Sequence, residues 1–574
     1  MQVTGVTGWC PATHGNMECP MRPLVVPLML LLWALAAHAD PLPGFLDSHE
    51  YERRLPSANL PMTDYAPVSP RIRLAGAAID NPDWAPANTR LVLQKVRFEG
   101  GTVFPLGDLR EHYQPLIGRE TTLGELQQYT QRLTQRYRQK GYLLSYAYLP
   151  PQDVADGRVD VVLVEGYVRD YHVEGDIGPA NEYLQQLLAR IEAERPLSRE
   201  TLERYLGLAT RMPGVVVEAE LAMARAADGV AQLTVHARRK QLSAAVTVAD
   251  SSRDAAQALI TVASNAQTRH GERVTASWLL PPGNDRVYYQ RLDYSQYLDA
   301  AGSQLLLSAS RYRSEPGTRI RLDDGRDITR EHDSERYAIG LRQPVVVRPN
   351  EWLAVQGHLY SVSEHDEDRM AEQPTSRKYD TYVRALSFEG DWRKVEQGRL
   401  RIVSAGVHQG LDYLGARSDA DYDLDFLRLR LSGLQSDTLL DNWQGVVSGA
   451  LYWSDDRLPD SERAGFGGQN FGRGYPRDQA DGDKGWGVAY ELNYSVRSRW
   501  LAQVQPYAVV DTAQAWHNRG PVEDAHLASL ALGVRLGGGH VFNVALEVAK
   551  PLADVALDSL DRGPRLSLNL AIQL

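Results

Sequence analysis

The last twelve residues alternate strictly. Leu566, Leu568, Leu570, Ile572 and Leu574 interleave with Arg565, Ser567, Asn569, Ala571 and Gln573. A period of two marks a strand with one oily face. Val488, Tyr490, Leu492 and Tyr494 repeat the pattern, as do Phe542, Val544, Leu546 and Val548. From about residue 240 onward this period dominates, and sixteen strand candidates can be marked, from 241–250 to 563–574, with no helical pattern between them. A large soluble β-domain and a membrane barrel both satisfy alternation. Three features favour the barrel. The strands are many, most are long enough to cross a bilayer at a tilt, and the connections alternate in length. Segments 312–333, 364–378 and 455–484 read as long loops, whereas 536–541 is short. Long outer loops and short periplasmic turns characterise a transmembrane β-barrel.

The pattern changes ahead of residue 240. Leu123, Leu126, Tyr129, Leu133 and Tyr137 recur at helical spacing, with Thr122 and Glu125 placed as a capping box and Gly141 as the stop. Strands flank this helix, with a break near Gln94 in the first of them. The order strand–helix–helix–strand–strand covers 87–166. It recurs over 167–239, where Tyr183, Leu184, Leu187, Leu188 and Ile191 mark one helix and Ser198 opens another. Two tandem modules are predicted, each with helices covering one sheet face. Residues 57–86 are rich in Pro, Ala and Asn and read as a linker; 40–56 can form a short helix.

Leu24 to Ala36 is an apolar run, and Ala37-His38-Ala39 is a small-x-small cleavage site, so 21–39 reads as a signal peptide and Asp40 as the mature start. Residues 1–20 then form an upstream extension, with Met17 and Met21 as alternative starts. Cys10 and Cys19, the two cysteines, both lie upstream, so the mature chain has neither disulfide nor thiolate chemistry. Beyond residue 40 no apolar stretch is long enough for a membrane helix. The net charge of −11 argues against nucleic acid as a partner. The 14 histidines contain no His-Glu-x-x-His pattern, no nucleophile–base set emerges, and Asp412 to Asp425 lacks the calcium-loop spacing. Neither an enzyme nor a metal or cofactor protein is expected.

Other residues carry a family resemblance. Val96-Arg97-Phe98-Glu99-Gly100, Tyr146-Ala147-Tyr148-Leu149-Pro150-Pro151-Gln152 and the run Gly157 to Gly166 resemble a polypeptide-transport-associated (POTRA) module. Phe471-Gly472-Arg473-Gly474-Tyr475-Pro476 resembles a loop-tip motif, and Pro506 to Ala513 a barrel-wall segment. Together they resemble the two-partner secretion outer-membrane transporters, the TpsB family of haemolysin and haemagglutinin secretion-activation proteins in the Omp85 superfamily. The chain departs from the family pattern at Val509, Ala513 and the terminal Leu574.

The resemblance implies a plug helix at 40–56, POTRA 1 at 87–166, POTRA 2 at 167–239 and a 16-stranded antiparallel transmembrane β-barrel at 240–574. Loop 6, at about 455–484, folds back into the lumen. Its tip is Gly472, Arg473, Gly474 and Tyr475, and the Arg is expected to pair with Asp511 of the wall. Glu491, on the polar parity of the neighbouring strand, is a second acid. Arg132, Arg136 and Lys140, on the polar face of the 122–140 helix, are candidates for guiding substrate, although a solvated helix face explains them equally well. The implied role is export of a large exoprotein (adhesin, cytolysin or contact-dependent toxin), held unfolded by the POTRA modules, across the outer membrane of a Gram-negative bacterium. The implied partners are that exoprotein, outer-membrane lipid and the barrel-assembly machinery, around a monomer. Insertion of other outer-membrane proteins is the alternative.

Overall fold

A computed structural model describes residues 55–56, 71–75, 85–223, 229–252, 256–280, 286–315, 320–321, 327–370, 376–519, 524–538 and 541–574. The signal peptide, the upstream extension and all but Leu55 and Pro56 of the plug helix lie outside these residues.

In the first module the break near Gln94 is real. Strands Arg90–Val92 and Lys95–Glu99 are separate, and the amides of Gln94 and Lys95 both donate to the Gly157 carbonyl. Lys95–Glu99 then runs parallel to Arg158–Val164, which pairs antiparallel with Tyr146–Tyr148. Helix Leu123–Gln139 starts at Thr122, whose hydroxyl accepts the Glu125 amide. Only half the capping box forms, because the Glu125 carboxylate turns instead to Thr121 Oγ1 and Arg119. Leu123, Leu126, Leu133 and Tyr137 are fully buried on one helix face, each contributing about 1.5–3 kcal/mol by leaving water.

Glu165 ties this helix to the start of the module. Its carboxylate accepts the Thr102 and Val103 amides, the Thr102 hydroxyl and the Tyr137 hydroxyl. Burial alone raises its pKa, but these hydrogen bonds outweigh burial and hold it below its ordinary value. A depressed carboxylate stabilises the fold above its unfolded pKa of about 4.3. That stability is lost as pH falls through the lower folded value. Glu165→Gln is therefore expected to cost roughly 1 kcal/mol at pH 7, after allowance for solvent screening of a half-exposed group. Hydrogen–deuterium exchange over 101–144 should show the loss at pH 7, with the difference from wild type shrinking below pH 4. A difference that does not change with pH would contradict this account.

The second module repeats the order: strand Tyr167–Glu174, helices Asn181–Ala193 and Arg199–Ala209, and hairpin Val215–Met223 with Val230–Arg239. Ser198 caps the second helix through the Thr201 amide. The sheet contains one strand more than the sequence predicts. Within the stretch read as linker, Arg71–Ala75 forms a strand parallel to Val215–Met223. The reason is local: an edge strand leaves unpaired amides and carbonyls, and Arg-Ile-Arg-Leu alternates as a strand requires.

This module is docked on the barrel rim. Tyr183 stacks on Tyr297 with centroids 4.5 Å apart, and the Tyr297 hydroxyl donates to the Arg211 carbonyl. Arg204 donates to the carbonyls of Ala301 and Val345, and Arg211 lies over the Trp352 ring.

The wall has sixteen antiparallel strands, from Leu242–Ser251 to Arg565–Gln573, and these two pair with each other to close it. Leu574 exchanges backbone hydrogen bonds with Ala244 at the seam. Two dipeptide strands, Ile320–Arg321 and Arg417–Ser418, attach at the outer rim. The polarity is inside-out relative to a soluble sheet. Leu429, Leu431, Val488, Val510, Leu532 and Leu546 are exposed, whereas Arg428, Arg430, Glu491, Gln505, Asp511 and Arg535 are buried. Closure satisfies every wall amide in lipid, and the exposed leucines meet acyl chains.

Two of the three long loops prove to be mostly strand. Asp327–Arg348, Glu351–Met370 and Ser376–Glu396 span 22, 20 and 21 residues and absorb much of 312–333 and 364–378. Their outer halves rise beyond the membrane, where water solvates both faces. Charged residues there are compatible with a ladder, so Asp366, Glu367 and Asp368 do not end the strand.

Candidate functional site in the barrel lumen

The connection after Trp453 folds inward. It carries a short hairpin, Ala464–Phe466 with Ala480–Gly482, and a tip between them. The tip is a tight turn: the Gly467 amide donates to the Phe471 carbonyl, Gly468 to Tyr475 and Tyr475 to Gly472. Gly472 has φ +81°, where a side chain would be strained. At Gly474 a Cβ would sit 2.6 Å from the Pro551 nitrogen, so only glycine lets the tip lie flat on the wall. Tyr475 is fully buried; its hydroxyl donates to the Ala528 carbonyl and accepts the Ala553 amide.

Arg473 reaches two carboxylates. Nη1 donates to Glu547 at 2.6 Å and Nη2 to Glu491 at 3.3 Å. Asp511 is placed differently from the expectation. Its carboxylate accepts the Gly472 amide at 2.6 Å, the more distant Arg473 amide at 3.5 Å and the Ser529 hydroxyl at 2.7 Å. Asp511 thus reads the backbone of the turn, while the guanidinium extends past it to the next acids along the wall. The physical reason is reach: the turn brings its amides to Asp511, and a long side chain carries its charge further.

Two members of the cluster were not singled out from the sequence. Arg535 is almost fully buried and grips Glu491 with both terminal nitrogens, at 2.7 and 3.0 Å. It also donates to Asn493 and lies 4.0 Å from the centre of the Tyr507 ring. Glu547 accepts Arg473 and the Tyr507 hydroxyl. The signal for both was available: each is a charged residue on the inward parity of a strand whose other parity is oily. The assembled site holds two guanidinium groups and three carboxylates, on the tip and four consecutive wall strands.

The base of the loop is pinned to the opposite wall. Glu462 pairs with Arg428 at 2.9 Å and accepts the Tyr360 hydroxyl, and Ser461 donates to Glu364. Leu55 is also in the lumen, buried with Leu279, Tyr289 and Tyr312, and it lines a small cavity with Tyr452, Phe466 and Phe471.

Arg132, Arg136 and Lys140 lie far from this cluster in sequence and fold, on helix Leu123–Gln139 and its C-cap. Arg136 and Lys140 both lie against the Phe104 ring, and Arg132 lies over Tyr129. The acidic stretch is used in hydrogen bonding: Asp421 pairs with the Arg457 side chain and Asp423 accepts its amide.

Comparison with known proteins agrees with this architecture. The ShlB-type POTRA domain family matches residues 91–166, and the haemolysin secretion/activation protein family ShlB/FhaC/HecB matches residues 385–536. The heme/hemopexin transporter protein HuxB of one Haemophilus influenzae strain is 21% identical over 287 residues, which is 49% of this chain and 49% of the relative. HuxB of a second strain is 20% identical over 457 residues, covering 76% of this chain and 79% of the relative. The solved structure of CdiB from Escherichia coli superposes with a TM-score of 0.67 at 18% identity, over 85% of this chain and 91% of that one, and shows a shared fold. With POTRA modules in the periplasm ahead of an outer-membrane β-barrel, the chain belongs to the Omp85 superfamily of transporters, in the two-partner secretion branch of the ShlB/FhaC/HecB proteins.

Proposed function

We propose that this chain exports one large exoprotein through its barrel, receiving it unfolded from the two periplasmic modules. The observation that carries the reading is the lumenal cluster: Arg473 of an inward-folded loop clamped between Glu547 and Glu491. A carboxylate-lined wall gripping a loop inside the channel is built to hold a conduit in a defined state. Catalysis has no use for it.

The POTRA sheets suit a substrate that must stay extended, since an added strand binds through backbone hydrogen bonds and makes few demands on sequence. Residues 40–56 act as a plug in this proposal, which the lumenal seat of Leu55 supports. The cargo class is a secreted adhesin, cytolysin or contact-dependent toxin, and the transporter works as a monomer with outer-membrane lipid around it. The barrel-assembly machinery inserts the transporter itself.

Deleting the gene and comparing the culture medium with the outer-membrane fraction tests the reading. Loss of one large secreted protein, with other outer-membrane proteins at normal abundance, is expected. A broad fall in outer-membrane proteins would instead identify an assembly factor.

A further inference from the structure

The second module has a sheet edge that the chain covers with its own linker. Strand Arg71–Ala75 sets Arg71 opposite Glu218, Ile72 opposite Ala219, Arg73 opposite Glu220 and Leu74 opposite Leu221. Successive residues of a strand belong to opposite faces. On Val215–Met223 this puts Ala219 and Leu221 in the core and leaves Glu218 and Glu220 on the half-exposed face. That face continues acidic: His236, opposite Glu218, is paired with Glu174 at 3.0 Å. The edge therefore offers more than amides and carbonyls. It presents acidic positions on the wet side and small or apolar positions on the dry side, in alternation. The linker answers with basic and apolar residues in the same alternation.

We propose that the Val215–Met223 edge is a binding site for an extended segment of alternating basic and apolar residues in the exported protein. Linker residues 71–75 fill the site in cis until that segment displaces them. The proposal rests on the export reading above. The exchange is close to balanced, because one edge ladder replaces another. The linker pairs parallel, and an incoming strand that adds antiparallel gains slightly per residue. Displacement also has a consequence in the lumen. The same stretch of chain begins at Leu55, buried among Leu279, Tyr289 and Tyr312, so removing 71–75 from the edge slackens the tether to the channel.

Two experiments on the full-length protein in detergent micelles and in cells test this. A labelled peptide of residues 69–77 is titrated onto wild type and onto Arg71→Glu/Arg73→Glu. The variant should bind the peptide on the order of ten-fold more tightly, because two repulsive pairs vacate its edge. Adding Glu218→Lys/Glu220→Lys to the variant should abolish that binding. Equal affinity of wild type and the linker variant, or affinity indifferent to the edge charges, overturns the proposal. In cells, Arg73→Cys/Glu220→Cys locks the linker strand by a disulfide in a mature chain with no other cysteine. Export should stop under oxidation and return with reductant. Export that continues with the lock fully formed also overturns it. If wild type releases no exoprotein in the same cells, the export reading fails, while the peptide titration still decides what the edge binds.

Discussion

Arg473→Ala is expected to cut export about ten-fold or more while leaving folded barrel at its normal abundance, because it removes a buried ion-pair partner worth about 3–5 kcal/mol from the loop and leaves the wall intact. The Arg473 side chain is 11% exposed and Glu547 9%, so solvent cannot take over the lost pairing. Glu547 is left with the Tyr507 hydroxyl, whereas Glu491 keeps both of its bonds to Arg535. The wall strands are held by their ladders, which do not depend on the tip. The loop is different: without the guanidinium its tip retains the Asp511–Gly472 contact and the seat of Tyr475, and its position becomes soft. Arg473→Lys keeps the charge but cannot reach two carboxylates with fixed geometry, and it should rescue export only in part. Exoprotein in the medium, heat-modifiable mobility of the barrel and protease access to 467–478 measure the three quantities. Wild-type export by Arg473→Ala at wild-type barrel abundance would sink the latch interpretation.

The fold was legible because the physics that dictates it is periodic. Lipid forces closure and alternation, so strands such as Arg565–Gln573 declare themselves, and Thr122 and Gly141 punctuate a helix as capping chemistry requires. What could not be read followed from the same physics operating elsewhere. Beyond the membrane a strand needs no oily face, so Glu364 to Arg369 looked like loop and is ladder. The linker strand Arg71–Ala75 is too short to stand out among prolines, and its partner lies more than a hundred residues away. At the site, the motif located the tip and Asp511, but which acid takes the guanidinium depends on how far the side chain extends. That is a matter of three-dimensional spacing between neighbouring strands. Arg535 was the most recoverable omission: an arginine between Val534 and Leu536 in an alternating strand has to face the lumen and has to find an acid there.

Arg535→Met should act on the barrel itself and lower folded abundance several-fold, unlike any change at the loop tip. Arg535 is the permanent counter-ion of the cluster. It neutralises Glu491 from within the wall, with its guanidinium packed over Tyr507 and donating to Asn493. Removing it leaves Glu491 and Glu547 to share Arg473, which reaches Glu491 through a single 3.3 Å contact. An uncompensated buried carboxylate costs about 3–5 kcal/mol, and here it would be stranded during insertion, before loop 6 has settled in the lumen to offer a cation. The defect should therefore appear as unfolded barrel on heat-modifiability gels and as loss from the outer membrane, with export falling in proportion. Arg535→Lys should be intermediate, since an ammonium keeps the charge and loses the fork. The discriminating variant is Arg535→Met/Glu491→Met. Replacing a buried pair by apolar side chains of similar volume removes the desolvation cost together with the attraction, so the double variant should be more abundant than Arg535→Met alone. Its tip should be no looser than in wild type, because Glu547 still takes the shorter bond to Arg473 at 2.6 Å. An Arg535→Met barrel that folds to wild-type abundance would show that Glu491 tolerates its buried charge without this partner, and the separation of a resident ion pair from a loop latch would then collapse.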